Sequence, residues 1–173
     1  MENTFGVPII PQDEEARLNN LNSYNILDTR SEGPFNNVAS IAAHMFKTPM
    51  AFVSFVDQSR VWFKANLGLE DVMETPRGIS LCSLAILNNE PTVFHNTLEE
   101  SCLMANPLVA GEFGMRFYAA APIRTPEGFN IGAVCVVDKE PREFSVGDQR
   151  VLEHLASIVM DELQLRKLNQ KKV

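Results

Sequence analysis

At 173 residues the chain fits one domain, and a chain of this size buries roughly 70% of its unfolded surface, so neither a disulfide nor a metal is required to hold it together. Fifteen basic against twenty-two acidic residues leave a net charge of −7, which repels a phosphate backbone and excludes nucleic acid as an expected partner. Hydrophobic residues make up 45% of the chain in short runs, none near the ~20 residues of a bilayer crossing, and the opening MENTFGVPII lacks a signal peptide's basic region and apolar core, so no membrane association and a cytoplasmic location are expected.

Residues 1–11 contain prolines and no consistent period, which predicts an extended or disordered arm. Asp13 is placed to cap a helix with apolar positions at Ala16, Leu18, Leu21 and Tyr24. After the turn-rich stretch from Asp28 to Pro34 comes a second helix, with Phe35, Val38, Ile41, Ala42, Met45 and Phe46 on one face and Pro49 beyond its end. MAFVSFVD and RVWFKANLG, joined by a turn at Gln58 and Ser59, read as a hairpin. A short helix within Ile79 to Asn88, a brief strand at PTVF, and a long loop with one or two short helices from Asn96 to Met115 follow. RFYAAAPIR and FNIGAVCVVD form a second hairpin around TPEG, and from Ser145 a long helix carries the stripe Val151, Leu152, Leu155, Ile158, Val159 and Leu163. Antiparallel hairpins between terminal helices define an α+β domain.

The three cysteines, Cys82, Cys102 and Cys135, have neither zinc spacing nor an even count and read as reduced thiols, Cys135 within an apolar run. His44, His95 and His154 are scattered and no metal motif links them, so no metal site is expected. The basic run RKLNQKK is read as the solvated end of the last helix. No phosphate-binding loop and no Ser-His-Asp arrangement is legible, so the chain is not expected to be an enzyme.

Between Arg60 and Asp138 the segments RVWFKANLGL, ETPRGISLCSLAI, NPLVAGEFGMRFYAAAPI and GAVCVVD closely resemble, in order and spacing, bacterial GAF domains. The resemblance runs from about Ala16 to Arg166, and implies a single GAF domain over residues 12–170 including the terminal helices. It implies a central antiparallel sheet of five to six strands, with the N- and C-terminal helices on one face. On the other face it implies a ligand pocket covered by a loop and a short helix. Such domains are small-molecule sensors that commonly dimerise through their terminal helices and act on a signalling output domain. The stripe through Leu152, Leu155 and Val159 is the expected dimer seam, its alternative use being to cover the chain's own sheet.

By the same resemblance the pocket lies between the strand bearing Trp62, the short helix after Arg77, and the loop from Asn96 to Arg116. Trp62 and Phe63 alternate across the sheet, so only one faces the pocket; Trp62 is the candidate, with core packing as its other reading. Arg77 and Arg116 could each bind a carboxylate or phosphate bidentately, or could form structural ion pairs. Phe94, Cys82 and Tyr118 complete the expected ligand-binding set, Cys82 at a helix start where the dipole can make a thiol reactive.

One GAF subfamily, the free methionine-R-sulfoxide reductases, uses a pair of cysteines to which Cys82 and Cys102 loosely compare. Leu81 and Ser83 replace the flanking glycines of that pattern, and its third cysteine is missing. Cys82 is followed by Ser83 rather than the histidine of tetrapyrrole-binding members, and the NKFDE string of cyclic-nucleotide binders is absent. No cofactor is identifiable. The expected function is a sensor of an unidentified small molecule, a homodimer acting on a separate signalling protein. A thiol reductase, or a scaffold with a closed pocket that serves protein interaction, are the alternatives.

Overall fold

Met50–Val56 (β1) and Asn130–Asp138 (β6) are buried along their whole length, the pattern of strands covered on both faces. In the computed structural model, which describes residues 1–171, they pair with each other at the centre of a six-stranded antiparallel sheet. Arg60–Leu67 (β2) and Glu74–Pro76 (β3) extend it on one side; Phe117–Arg124 (β5) and Thr92–Phe94 (β4) extend it on the other. The order is β3-β2-β1-β6-β5-β4. The expected α+β architecture and both hairpins are present, while β3, in the segment ETP, carries no strand signal of its own.

Glu14–Asn22 (α1), Gly33–Phe46 (α2) and Val146–Lys171 (α5) contribute to the core on one face of the sheet. Ser145 and Asp148 start α5 by exchanging backbone-to-side-chain hydrogen bonds of 2.9 and 3.0 Å, a reciprocal cap that satisfies two orphan groups of the first turn. The other face carries a second apolar cluster beneath Cys82–Ala85 (α3), the single turns Thr97–Glu99 and Ser101–Leu103, and Pro107–Ala110 (α4).

Several local expectations change. The opening residues form no helix or strand, but they are pinned: Phe5 and Ile9 are buried in the second cluster and the Thr4 amide donates to the Gly78 carbonyl. Asp13 precedes α1 without a side-chain cap bond, and the buried residues of α1 are Arg17 and Leu21 rather than a full apolar stripe. On α2 the buried face runs through Phe35, Val38, Ala39, Ala42 and Ala43; small residues let the helix lie close to the sheet and turn Ile41 and Met45 outward. On α5, Leu152, Leu155 and Val159 are spent on the chain's own core, so they are not a free seam; Val146, Ile158, Leu165 and Leu168 are the large exposed apolar side chains of that helix.

A bulge decides which aromatic of β2 faces which layer. Val53 pairs with Ala65 but the next residue, Ser54, pairs with Phe63, so Lys64 is the extra residue. The slip brings Trp62 and Ala65 to the same, helix-covered face, and sends Phe63 to the other beside Ser54. The displaced Lys64 ammonium is buried among the Thr29 hydroxyl, the Arg30 carbonyl and the Glu32 carboxylate, which ties down the connection between α1 and α2.

Candidate functional site

On the face away from the terminal helices lies a partly open cavity of 190 Å³. Its walls are Phe52 from β1, Phe63 from β2, Leu81 before α3, and Leu108, Phe113 and Met115 from the loop over it. Phe52 and Phe63 stack at 5.1 Å between ring centroids. Among the described residues that line it, none is charged; the polar groups are Thr75, Ser80, Cys82, Cys135 and the Tyr118 hydroxyl.

Three of those polar groups meet at the floor. The Tyr118 hydroxyl donates to Cys82 Sγ at 3.2 Å, Ser54 Oγ lies 3.3 Å from the same sulfur, and Cys135 Sγ lies 4.0 Å away. The adjacent Cys135 thiol, aided by the Ser54 and Tyr118 hydroxyls, holds Cys82 below the usual thiol range against the opposing effect of burial. Cys135 moves the other way, raised by its bond to Cys82 and by burial, and burial followed by the charge on Cys82 raises Tyr118. The helix-end effect expected for Cys82 does not apply, since α3 is a single turn of four residues.

The loop is built by its own polar residues. Asn106, fully buried, caps α4 by accepting from the Leu108 amide at 3.0 Å, and donates to the Ile79 carbonyl at 2.8 Å and to Thr4 Oγ1 at 3.0 Å. The Thr97 hydroxyl donates to the Met115 carbonyl at 2.6 Å. Both ends of the loop are fastened to the segment that leads into α5: the Arg116 amide donates to the Asp138 carbonyl at 2.9 Å, and the Arg142 amide to the His95 carbonyl at 3.0 Å.

Of the residues singled out in the sequence, the cavity brings together Cys82 and Tyr118. Phe94 is one layer back, its ring 6.3 Å from that of Tyr118. Trp62 packs under the helices, and Phe63 occupies the place expected for it. Arg77 is fully buried and receives Glu14 across two bonds of 2.5 and 3.1 Å, with the Asp57 and Gln58 carbonyls as further acceptors. It is a structural ion pair, and its guanidinium is not offered to a ligand. Arg116 donates to the Val109 and Met115 carbonyls at 2.8 and 3.0 Å and serves the loop. Cys102 is half-buried against the second cluster, and the sulfur that faces Cys82 belongs to Cys135. No cluster of metal-ligating side chains exists among the described residues.

The lining residues missed in the sequence divide into two kinds. Phe52 and Val137 were legible in principle, because residues out of phase with the helix-facing positions of a doubly buried strand must face the other layer. Leu108 sits on the single turn of α4 and Phe113 on irregular backbone, and neither stretch is long enough for a periodicity to assign a direction.

The model of the GAF domain family matches residues 32–163, and the chain belongs to that family. It is 37% identical over 167 residues to the cyclic di-GMP phosphodiesterase PA2567 of Pseudomonas aeruginosa, an alignment that takes in 95% of this chain and 28% of that protein. The chain thus spans under a third of the length of this relative. Among solved structures it is similar to the free methionine-R-sulfoxide reductase of Neisseria meningitidis in complex with its substrate (TM-score 0.64, 15% identity, 93% of this chain and 89% of that one). It is also similar to the GAF domain of an Acinetobacter phosphoenolpyruvate-protein phosphotransferase (TM-score 0.63, 17% identity, 89% and 94%). At these identities the two structures establish the shared fold. No helix among the described residues is long and apolar enough to cross a membrane.

Proposed function

We propose that this GAF domain is a sensory module whose cavity takes a small, neutral, apolar molecule and whose loop reports occupancy to α5. The observation that carries the reading is the 190 Å³ cavity walled by aromatic and aliphatic side chains, with no charged group among its described lining residues. Apolar protein cavities of about 150 Å³ bind benzene, so one or two fused rings are the right size. The anionic ligand suggested by Arg77 and Arg116 loses its support, because neither lines the cavity: Arg77 is paired with Glu14, and Arg116 donates through Nη1 to two loop carbonyls. A free amino acid such as methionine sulfoxide likewise meets no charged partner in the cavity for its ammonium and carboxylate.

The route to the helices is short and runs through hydrogen bonds. The loop wall bearing Leu108, Phe113 and Met115 ends at Arg116, which is bonded to Asp138 at the end of β6. Asp138 in turn accepts the Arg142 guanidinium, whose other nitrogen donates at 2.7 Å to the Phe46 carbonyl at the end of α2. A ligand that prefers one loop position therefore biases the start of α5 and the end of α2 together, by as much as its affinities for the two positions differ. Two copies are read as meeting along Ile158 and Leu165, seven residues apart on the outer face of α5. The name of the Pseudomonas relative makes cyclic di-GMP hydrolysis the first output to test in a longer protein that contains this domain.

Thermal-shift titration tests the reading with indole as the neutral probe and indole-3-acetate as its charged analogue. Indole should raise the melting temperature and indole-3-acetate should not; Val72→Trp, at a half-exposed position on the cavity rim, should abolish the response. Equal shifts from both probes, or a full response in Val72→Trp, would overturn it.

A further inference from the structure

Cys82 and Cys135 face each other at the floor of the cavity with their sulfurs 4.0 Å apart, and both line it. They differ in how firmly they are held. Cys135 stands in the central strand β6, paired with Phe52 on one side and Ala120 on the other. Cys82 opens α3, a single turn that can shift without breaking the sheet. The Tyr118 hydroxyl, 3.2 Å from Cys82 Sγ, is a proton donor at the same point. The third thiol, Cys102, is not among the lining residues.

We infer that Cys82 and Cys135 form a dithiol modification site, which a small apolar organic hydroperoxide admitted by the cavity oxidises to an intramolecular disulfide. Cys82, as thiolate, attacks the terminal oxygen of the hydroperoxide. The O–O bond breaks, and the alkoxide leaves with the proton that Cys82 gave up, relayed by Tyr118, as the alcohol. Cys82 is then a sulfenic acid, its sulfur oxidised by the two electrons that reduced the peroxide. The Cys135 thiol attacks that sulfur, the S–S bond forms, and the hydroxyl departs with the Cys135 proton as water. The gap between the sulfurs has to close by about 2 Å, which a movement of α3 toward β6 supplies. The order of attack agrees with Cys82 being the more acidic thiol of the pair. The apolar walls select the oxidant, since they bury a hydrocarbon group and offer hydrogen peroxide nothing comparable.

The test uses the reduced protein under anaerobic conditions, treated with cumene hydroperoxide or hydrogen peroxide, then alkylated and mapped by mass spectrometry. The expected result is loss of two hydrogens, a crosslinked peptide joining Cys82 to Cys135, and Cys102 still alkylated. Reaction with cumene hydroperoxide should be about tenfold faster than with hydrogen peroxide, the factor that about 1.4 kcal/mol of apolar burial supplies. Cys102→Ser should behave as the unaltered protein, and Cys135→Ser should stop at a sulfenic acid on Cys82 that dimedone traps. Failure to find the crosslinked peptide, a crosslink through Cys102, or equal rates with the two oxidants would overturn the proposal; the wild-type map decides it even if a cysteine variant does not fold. The readout is covalent and independent of the indole response, so this site and the sensing role can fail separately.

Discussion

Glu14→Gln removes one negative charge from between two buried guanidinium groups and leaves the shape of the site unchanged. Glu14 accepts Arg17 at 2.9 and 3.0 Å and Arg77 at 2.5 and 3.1 Å, while the two arginine side chains are 1% and 0% exposed. Burial alone would raise the Glu14 carboxyl, but the hydrogen bonds from Arg77 and Arg17 outweigh it and lower the pKa from an ordinary 4.5 to about 2. At about 1.4 kcal/mol per unit this amounts to about 3 kcal/mol, reduced to about 2 because the carboxylate is 18% exposed and partly screened by water. The backbone carbonyls of Val56, Asp57 and Gln58 remain as acceptors in the variant, so the loss stays below the larger cost of a wholly orphaned ion pair. A carboxylate whose folded pKa is depressed stabilises fully above its unfolded pKa and loses that contribution as pH falls toward the folded one. Urea unfolding should therefore show wild type about 2 kcal/mol more stable than Glu14→Gln at pH 7, and the gap should fall to less than half by pH 3. A gap under about 0.5 kcal/mol at pH 7, or one unchanged between pH 7 and pH 3, would refute the reasoning.

Two further outcomes follow from the packing. Gly132→Ala places a Cβ 2.0 Å from the Ser54 carbonyl oxygen and 3.0 Å from Phe55 Cα in the middle of the sheet; it should cost about 3 kcal/mol or more, read as a melting temperature lowered by roughly 10 °C in calorimetry. Ile158→Glu puts a charge on the exposed face of α5 and should convert a dimer to a monomer in light scattering with melting temperature changed by no more than a few degrees, whereas an unaltered mass would remove Ile158 from the interface.

The central strands, the two hairpins and the long last helix were legible because each carries an unbroken physical signal: apolar runs, a Pro-Glu-Gly turn, a wide helical stripe. The function of the motif residues was not, and Arg77 shows why. A guanidinium that holds a helix to a sheet and one that waits for a ligand have the same sequence signature, and only the position of Glu14, 63 residues earlier, tells them apart. Trp62 and Phe63 fail for another reason, since a one-residue bulge at Lys64 sets which faces each layer, and period-two reasoning cannot locate a bulge. Leu152, Leu155 and Val159 formed a correct stripe with two uses, and the sheet claims it first because that burial is intramolecular. The Cys82–Cys135 pair joins positions 53 apart on a turn and a strand, a proximity that no local spacing encodes.

The two outermost strands, β3 and β4, are only three residues long, and β3 ends in Pro76. Each leaves little unpaired backbone to template a strand from a neighbouring chain, and proline withholds its amide altogether. Polymerisation by sheet extension is thereby blunted at both rims. The outer face of α5, with Ile158, Leu165 and Leu168 exposed, carries no such protection against contact with another copy.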